Sequence, residues 1–336
     1  MATLGSTFFD LIDLYKRQDE TRQIATVIEM LKEENAILDD AIAMECNQGV
    51  SHRTTIRTGL PAVTWGQFYK GIPQTKSTTA QVEDTTGFVE QLSSIDQRLL
   101  EISGNPNAVR LSEATAAMEA ISQSVATTLI YGNDALDPTQ FLGLAPRFND
   151  TSAPNGDQIV DGGGTGSDNT SLWIISWGDN QCHMLYPSGT AAGVVREDKG
   201  EQRTVDANGD PYFVQEELIR QHAGLTVRDW RYVSRIANID VSDLQAGSTD
   251  IYALLRSAFW KLKSHRVPGG RQVIYCNADV LEALDADSTP TTPTSPARTT
   301  SVRLRPTEVD GFEVMSYRGI PIRQVDAIVN NEDQVT

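Results

Sequence analysis

The residue types that can do chemistry are present in this chain, but not at the spacings that chemistry needs. Four histidines, His52, His183, His222 and His265, stand far apart, and none has a second ligand at the interval a zinc site uses. Cys182 and His183 are adjacent; on a strand they point to opposite faces and cannot share one ion. The cysteines Cys46, Cys182 and Cys276 are odd in number and widely separated, which reads as reduced, structural thiols. The glycine-rich run DGGGTGSDN (161–169) invites a phosphate-cradling reading, but no Lys-Ser or Lys-Thr follows, so the Walker pattern is absent and a flexible surface loop is expected. No nucleophile elbow and no dinucleotide fingerprint occur. DANGD (206–210) is too short for a calcium loop and lacks the distal Glu, so a turn is expected. A carboxylate pair could serve glycosidase chemistry, yet Asp39-Asp40 and Glu216-Glu217 fall in helix-like or exposed contexts. No catalytic residue, cofactor or metal is assigned.

A different kind of chemistry, that of surfaces, is written between Ser51 and Val82. Arg53, Arg57, Lys70 and Lys76 stand there with no acid at all. Trp65, Phe68 and Tyr69 sit among them, and exposed aromatics are costly unless a partner covers them. Those seven residues are the candidate inter-subunit contacts. The whole chain carries a net charge of −17, so such a projection would meet an acidic surface, which a second copy would supply.

Elements must hold that projection in place. Residues 50–92 are rich in Thr, Val and Ile and punctuated by Gly59, Pro61, Gly66, Gly71 and Pro73. They read as a long β-hairpin with an irregular tip. Residues 112–133 carry Ala114, Ala117, Met118, Ile121, Val125, Thr128 and Leu129 on one helical face. Ser112 is the expected cap, and Gly132-Asn133 the expected left-handed end. A helix of that length spans about 30 Å and suits a strut. Upstream, residues 6–46 read as amphipathic helices, with Phe8, Leu11, Ile12 and Tyr15 on one face and Ile24 to Ile42 resuming the pattern. They would pack on a core or lie on a neighbouring subunit.

Downstream, LWIISWG (172–178) is a strand-length apolar run, and residues 217–239 alternate as strands do. Residues 248–264 form a second amphipathic helix. QVIYCNADVLEALD (272–285) reads as a buried strand feeding a short helix. DSTPTTPTSPARTTS (287–301) is a Pro/Thr loop, and residues 309–328 close the chain as two strands about Arg318-Gly319.

The length of 336 residues allows about two domains, and 39% hydrophobic residues suffice for a core. Charge argues against tight duplex-DNA binding and against docking on anionic membranes. No apolar run approaches the roughly 20 residues of a membrane helix, and the first residues do not form a secretory signal.

Several strings taken together resemble the major capsid proteins of tailed bacteriophages, with the Hong Kong ninety-seven-like fold, and most of all those of short-tailed phages. They are GLPAVTWGQFYKG (59–71), LIYGN (129–133) with PTQFLGLAPRF (138–148), WGDNQCHMLYPSGTAAGV (177–194), RYVSRIANID (231–240) and YRGIPIR (317–323). The resemblance implies an α+β fold in five parts. Residues 1–49 would be an N-terminal arm and 50–92 an extended loop reaching over the adjacent subunit. Residues 93–169 would be a peripheral domain with a spine helix at 112–132. Residues 170–300 would be an axial domain, and 301–336 strands returning to the peripheral domain. It implies self-assembly into hexamers and pentamers of an icosahedral virion shell, made in the host cytoplasm around double-stranded DNA that is not specifically bound. Cement, scaffolding and portal proteins are the expected partners, and no membrane. Some members join subunits covalently through a Lys on the extended loop. Lys70 and Lys76 lie there, but no matching acid and Asn can be named, so a non-covalent shell is expected. The competing reading is a soluble α+β enzyme of hydrolase type; a fibre or adhesin would need β-repeats, which the sequence lacks.

Overall fold

The computed structural model describes residues 13, 32–263, 270–288, 304–309 and 312–336. Most of the expected helical arm, and most of the Pro/Thr loop, lie outside the described residues. The described end of the arm is not one helix: a single turn, α1 (Ile37–Asp40), gives way to a short strand, β1 (Ala43–Glu45). The expected hairpin follows. Its strands β2 (Ser51–Gly59) and β3 (Thr78–Asp96) run antiparallel from Ser51 opposite Thr85 to Gly59 opposite Thr78. Then come α2 (Gln97–Ile102) and the long helix α3 (Pro106–Tyr131). Next are β4 (Ile159–Asp161), β5 (Asn169–Trp177), β6 (Cys182–Tyr186), β7 (Gly193–Val205), β8 (Pro211–Val227) and β9 (Val233–Asp240). The chain finishes with α4 (Val241–Gln245), α5 (Ile251–Lys261), β10 (Arg271–Cys276), α6 (Ala278–Ser288), β11 (Leu304–Val309), β12 (Phe312–Tyr317) and β13 (Ile320–Gln324). These strands join into one branched sheet.

The long helix starts earlier than its apolar stripe predicts. Asn105 caps it, accepting from the Ala108 N–H at 3.3 Å, and Pro106 opens its first turn. Pro has its φ preset for a helix start and no N–H to lose there; Ser112 lies in the helix interior instead. The predicted face is buried at Ala114, Ala117, Ile121, Val125 and Leu129, with Ala126 and Ile130 added. Gly132 ends the helix, but not in the left-handed conformation: its φ is −51° and its ψ 132°. Glycine is needed there for room. A Cβ would stand 2.4 Å from the Phe141 carbonyl oxygen and 2.5 Å from that of Thr128. The connector folds back so tightly that the Gly143 N–H donates to the Gly132 carbonyl at 2.7 Å.

Strand β5 is buried at every position, and its central Leu172–Ile175 run is apolar on both faces accordingly. Trp173, Ile175 and Trp177 enter one core with α3, while Leu172 and Ile174 enter a second core with α5 and α6. Strand β10 divides in the same way, Val273 and Tyr275 against Ile274 and Cys276. Burial pushes the Cys182 and Cys276 thiols up to about 12, so both stay protonated and inert. All three cysteines are free and buried.

Two expectations are corrected by packing. The glycine-rich segment over 151–170 lies at the surface, exposed at residues 165–167, but it is pinned to the sheet rather than free. Strand β4 pairs in parallel with β9, and the Gly162 and Gly164 N–H groups donate at 2.8 Å to the carbonyls of Ala237 and Asn238. Nor are the acidic pairs simply exposed. Asp40 is buried and accepts from Arg323 at 2.5 Å, Arg271 at 2.9 Å and the Tyr275 hydroxyl at 2.9 Å. Glu217 is buried between Arg196 and Arg110. Each carboxylate finds cations that folding brings to it from other elements, and both pairs are structural.

A third buried ion pair holds the C-terminal segment. Glu332 accepts from Arg235 at 2.8 Å, from the Tyr131 hydroxyl at 2.5 Å and from Ser171. Arg235 also donates to the Phe148 carbonyl at 2.7 Å. The segment is thereby tied to α3, β5 and β9 at one point.

The hairpin root is clamped in a comparable way. From Thr86 to Asp96, β3 pairs with β8, so only the distal half of the hairpin leaves the sheet. Asp84 at the root is buried; Arg147 donates to it at 2.8 Å and the Thr226 hydroxyl at 2.5 Å. Beside it, His52 and His183 pack edge to face, centroids 5.7 Å apart, with the Arg228 guanidinium 3.1 Å from His52 Nε2. Both imidazoles are buried, and neither ring nitrogen of His183 has a hydrogen-bond partner. Burial and then Arg228 hold both below the ordinary value, His183 at about 4.

Two outcomes are expected. Arg235→Ala strands the Glu332 carboxylate in the core, so urea unfolding of the subunit should show a loss of roughly 3–5 kcal/mol. Well above pH 6.5 both imidazoles are neutral in every state. As pH falls from about 6.5 toward about 4 the unfolded chain takes up protons first, so stability is lost across that window. His183→Leu should flatten that part of the urea-midpoint profile; an unchanged profile would show that the imidazole is not the sensor.

Candidate self-assembly surface

Beyond its clamped root the hairpin runs out of partners. Residues 60–77 form no regular structure apart from a turn in which the Lys70 N–H donates to the Gln67 carbonyl at 3.2 Å. One hydroxyl bond, Thr75 to the Ala62 carbonyl at 2.8 Å, links the two limbs of the tip. The three predicted aromatics are all there and all bare: Trp65 is 98% exposed, Phe68 95% and Tyr69 110%. Tyr69 turns the chain with a φ of 64°. Leu60, Val63 and Ile72 are exposed beside them. Those three belong to the same surface, and the signal for them was present: apolar residues in a stretch otherwise punctuated by Gly and Pro.

The charge of the projection is smaller than the acid-free window implied. Arg53 pairs with Glu83 at 2.9 Å, and Glu83 also accepts from the Ser51 hydroxyl at 2.7 Å. Those bonds, Arg53 first, hold the Glu83 carboxyl below its usual range. Arg53 is also clipped by Asn47, whose side chain exchanges two 2.8 Å bonds with its backbone. Arg53 is therefore part of the root. The acid that neutralises it lies one residue beyond Val82 and directly across the ladder. Arg57, Lys70 and Lys76 make no ion pair and remain as the cations of the outer arm.

The geometry joins a rigid base to an uncovered tip. Arg147, in the PTQFLGLAPRF string, does most of the joining. Besides Asp84 it donates to the carbonyls of Gly143 at 3.2 Å, Leu142 at 3.2 Å and Leu225 at 3.1 Å. Nothing in its local sequence marks that role, since two of its partners, Asp84 and Leu225, come from β3 and β8. Among the described residues no group of three or more His, Cys, Asp or Glu could hold a metal ion, and no helix is long and apolar enough to cross a membrane.

Known proteins share this architecture. The family model for major capsid protein GP7 matches residues 19–336. A chain in the near-atomic cryo-EM structure of bacteriophage epsilon15, a short-tailed phage, is 34% identical, with a TM-score of 0.77 and 100% of both chains covered. The capsid of bacteriophage JBD30 aligns with a TM-score of 0.52 at 9% identity, over 89% of this chain and 92% of that one, which speaks for the fold alone. No curated protein matches the chain. The enzyme alternative finds no support, because the family is one of shell-forming structural proteins. Matched over nearly its whole length, the chain belongs to the major capsid protein GP7 family.

Proposed function

We propose that residues 50–92 act as the extended loop through which each subunit of the shell grips its neighbour. The observation that carries this reading is the bare aromatic tip on a clamped base. Burying a large apolar side chain is worth about 1.5–3 kcal/mol relative to leaving it in water, so Trp65, Phe68 and Tyr69 strongly favour contact with a second surface. Arg57, Lys70 and Lys76 would orient that contact on an acidic sister copy and speed its formation. Each contact is weak by itself. In a closed shell every further contact is intramolecular, and the sum becomes durable.

In this reading the parts keep the division the sequence implies. Residues 1–49 are an arm, 93–169 a peripheral domain braced by α3, 170–300 an axial domain at the centre of hexamers and pentamers, and 301–336 the returning strands. The shell forms in the host cytoplasm and encloses double-stranded DNA. The negative chain lets that DNA lie against the wall without adhering. Scaffolding, portal and cement proteins complete the virion.

Deleting Thr58 to Lys76 tests the assignment. The tip makes few contacts with its own body, so the variant should keep the parent's thermal melt by circular dichroism. Negative-stain microscopy and sedimentation should find unassembled subunits where the parent yields particles or capsomers. Full-size shells from the deletion would overturn the role given to the loop.

A further inference from the structure

Most arginines among the described residues are paired with a carboxylate. Those without one are Arg57, Arg203, Arg256, Arg305 and Arg318. Three of these five converge on one place. Arg256 on α5, Arg305 on β11 and Arg318 in the β12–β13 turn line an open groove of about 740 Å³. Its walls include Tyr252 and Tyr317. The single carboxylate at its rim, Asp250, is committed to capping α5, where it accepts from the Ala253 N–H at 3.1 Å. On a chain of net charge −17, such a concentration of unpaired cations is costly by mutual repulsion unless something anionic fills it.

The groove is also built, not merely open. The Arg318 guanidinium lies 4.9 Å from the Phe259 ring centroid, 5.5 Å from Tyr317 and 5.7 Å from Trp260. Stacking on aromatic faces holds the planar cation in one orientation while leaving its N–H edge free for a carboxylate. Trp260 is 61% exposed beside it. An apolar ring next to three cations matches a protein surface carrying both carboxylates and aliphatic groups.

The same half of the subunit carries a surface of that kind. Helices α4 and α6 pack against each other and present Asp243 and Glu282, with no Lys or Arg in either helix. Asp243 and Glu282 are exposed. Among the described residues neither these three arginines nor Asp243 and Glu282 form an ion pair, so the charges are left to be satisfied between copies. Two different patches of opposite sign on one subunit make a head-to-tail contact, the kind that closes into rings.

We propose that the arginine groove receives the acidic α4–α6 face of a second copy of this chain. That contact is separate from the extended loop but rests on the same reading of self-association. Each ion pair at such a rim is worth little alone; repetition around a ring and register are what it supplies.

Charge reversal tests it. Three full-length variants are compared with the parent by sedimentation and negative stain: R256E/R305E, D243K/E282K, and all four changes together. Each double variant should melt like the parent but form particles on the order of tenfold less efficiently, since every repeated contact is lost at once. The quadruple variant reverses both sides of the contact and should recover them. Double variants that assemble like the parent would overturn the proposal, as would a folded quadruple variant that stays unassembled. Normal assembly of R256E/R305E with less nucleic acid retained would also overturn it, by assigning the groove to DNA phosphates. Failure of the parent itself to form particles or capsomers would count against the self-association reading instead.

Discussion

The ion pair between Arg147 and the buried Asp84 carboxylate, 2.8 Å apart, is the constraint on which the rest of the arrangement depends. A projecting hairpin is useful only if its direction is fixed. Two strands alone are marginal in water, so direction must come from the base. Arg147 provides it by holding β3, β8 and the connector after α3 at one point. A buried charge pair of this kind is weak evidence for added stability, because desolvation offsets attraction. Its effect here is geometric: it adds to the β3–β8 ladder a fixed point at the place where the hairpin leaves the sheet.

The same arrangement recurs at each place where distant segments must meet. Asp40 joins α1 to β10 and β13 through Arg271 and Arg323. Glu217 joins β8 to α3 and β7. Glu332 joins the C-terminal segment to α3, β5 and β9. Between these points the two apolar cores, one on each face of β5 and β10, supply the bulk of the burial. Apolar packing holds the layers together without choosing their register; the buried carboxylates, each needing particular donors, make the choice.

This consumption of cations explains the surface. Because the chain has 28 Lys and Arg against 45 Asp and Glu, arginine that remains unpaired after folding is scarce. Of the five arginines left unpaired among the described residues, Arg57 lies on the outer arm, three line the α5–β11 groove and Arg203 lies on β7. On a surface otherwise acidic, the arm and the groove are where the proposed contacts with a second copy would find carboxylates. Family membership makes the chain a shell-forming subunit, and its charge distribution gives that role a physical form.

Much of this was legible in the residues themselves. The hairpin, its bare aromatic tip, the buried strand at 172–177 and the helices near 112–131 and 251–261 follow from local period and punctuation, which short-range sterics and apolar burial determine. The family was carried by strings such as GLPAVTWGQFYKG and YRGIPIR. The true start of α3 at Asn105-Pro106 was within reach, but the apolar stripe drew the boundary to Ser112. Other features were not local at all. Whether Arg53 is a free cation depends on Glu83 across the ladder. Whether Asp40 is exposed depends on arginines more than two hundred residues away. Whether Gly162 is mobile depends on the open edge of β9. Sequence by itself determined which segments bury apolar surface and which carry a projecting aromatic tip, because those follow from neighbours along the chain. Only the tertiary structure decided which charges are spent inside and which remain for a partner, because an ion pair depends on distance in space, and folding alone sets that distance.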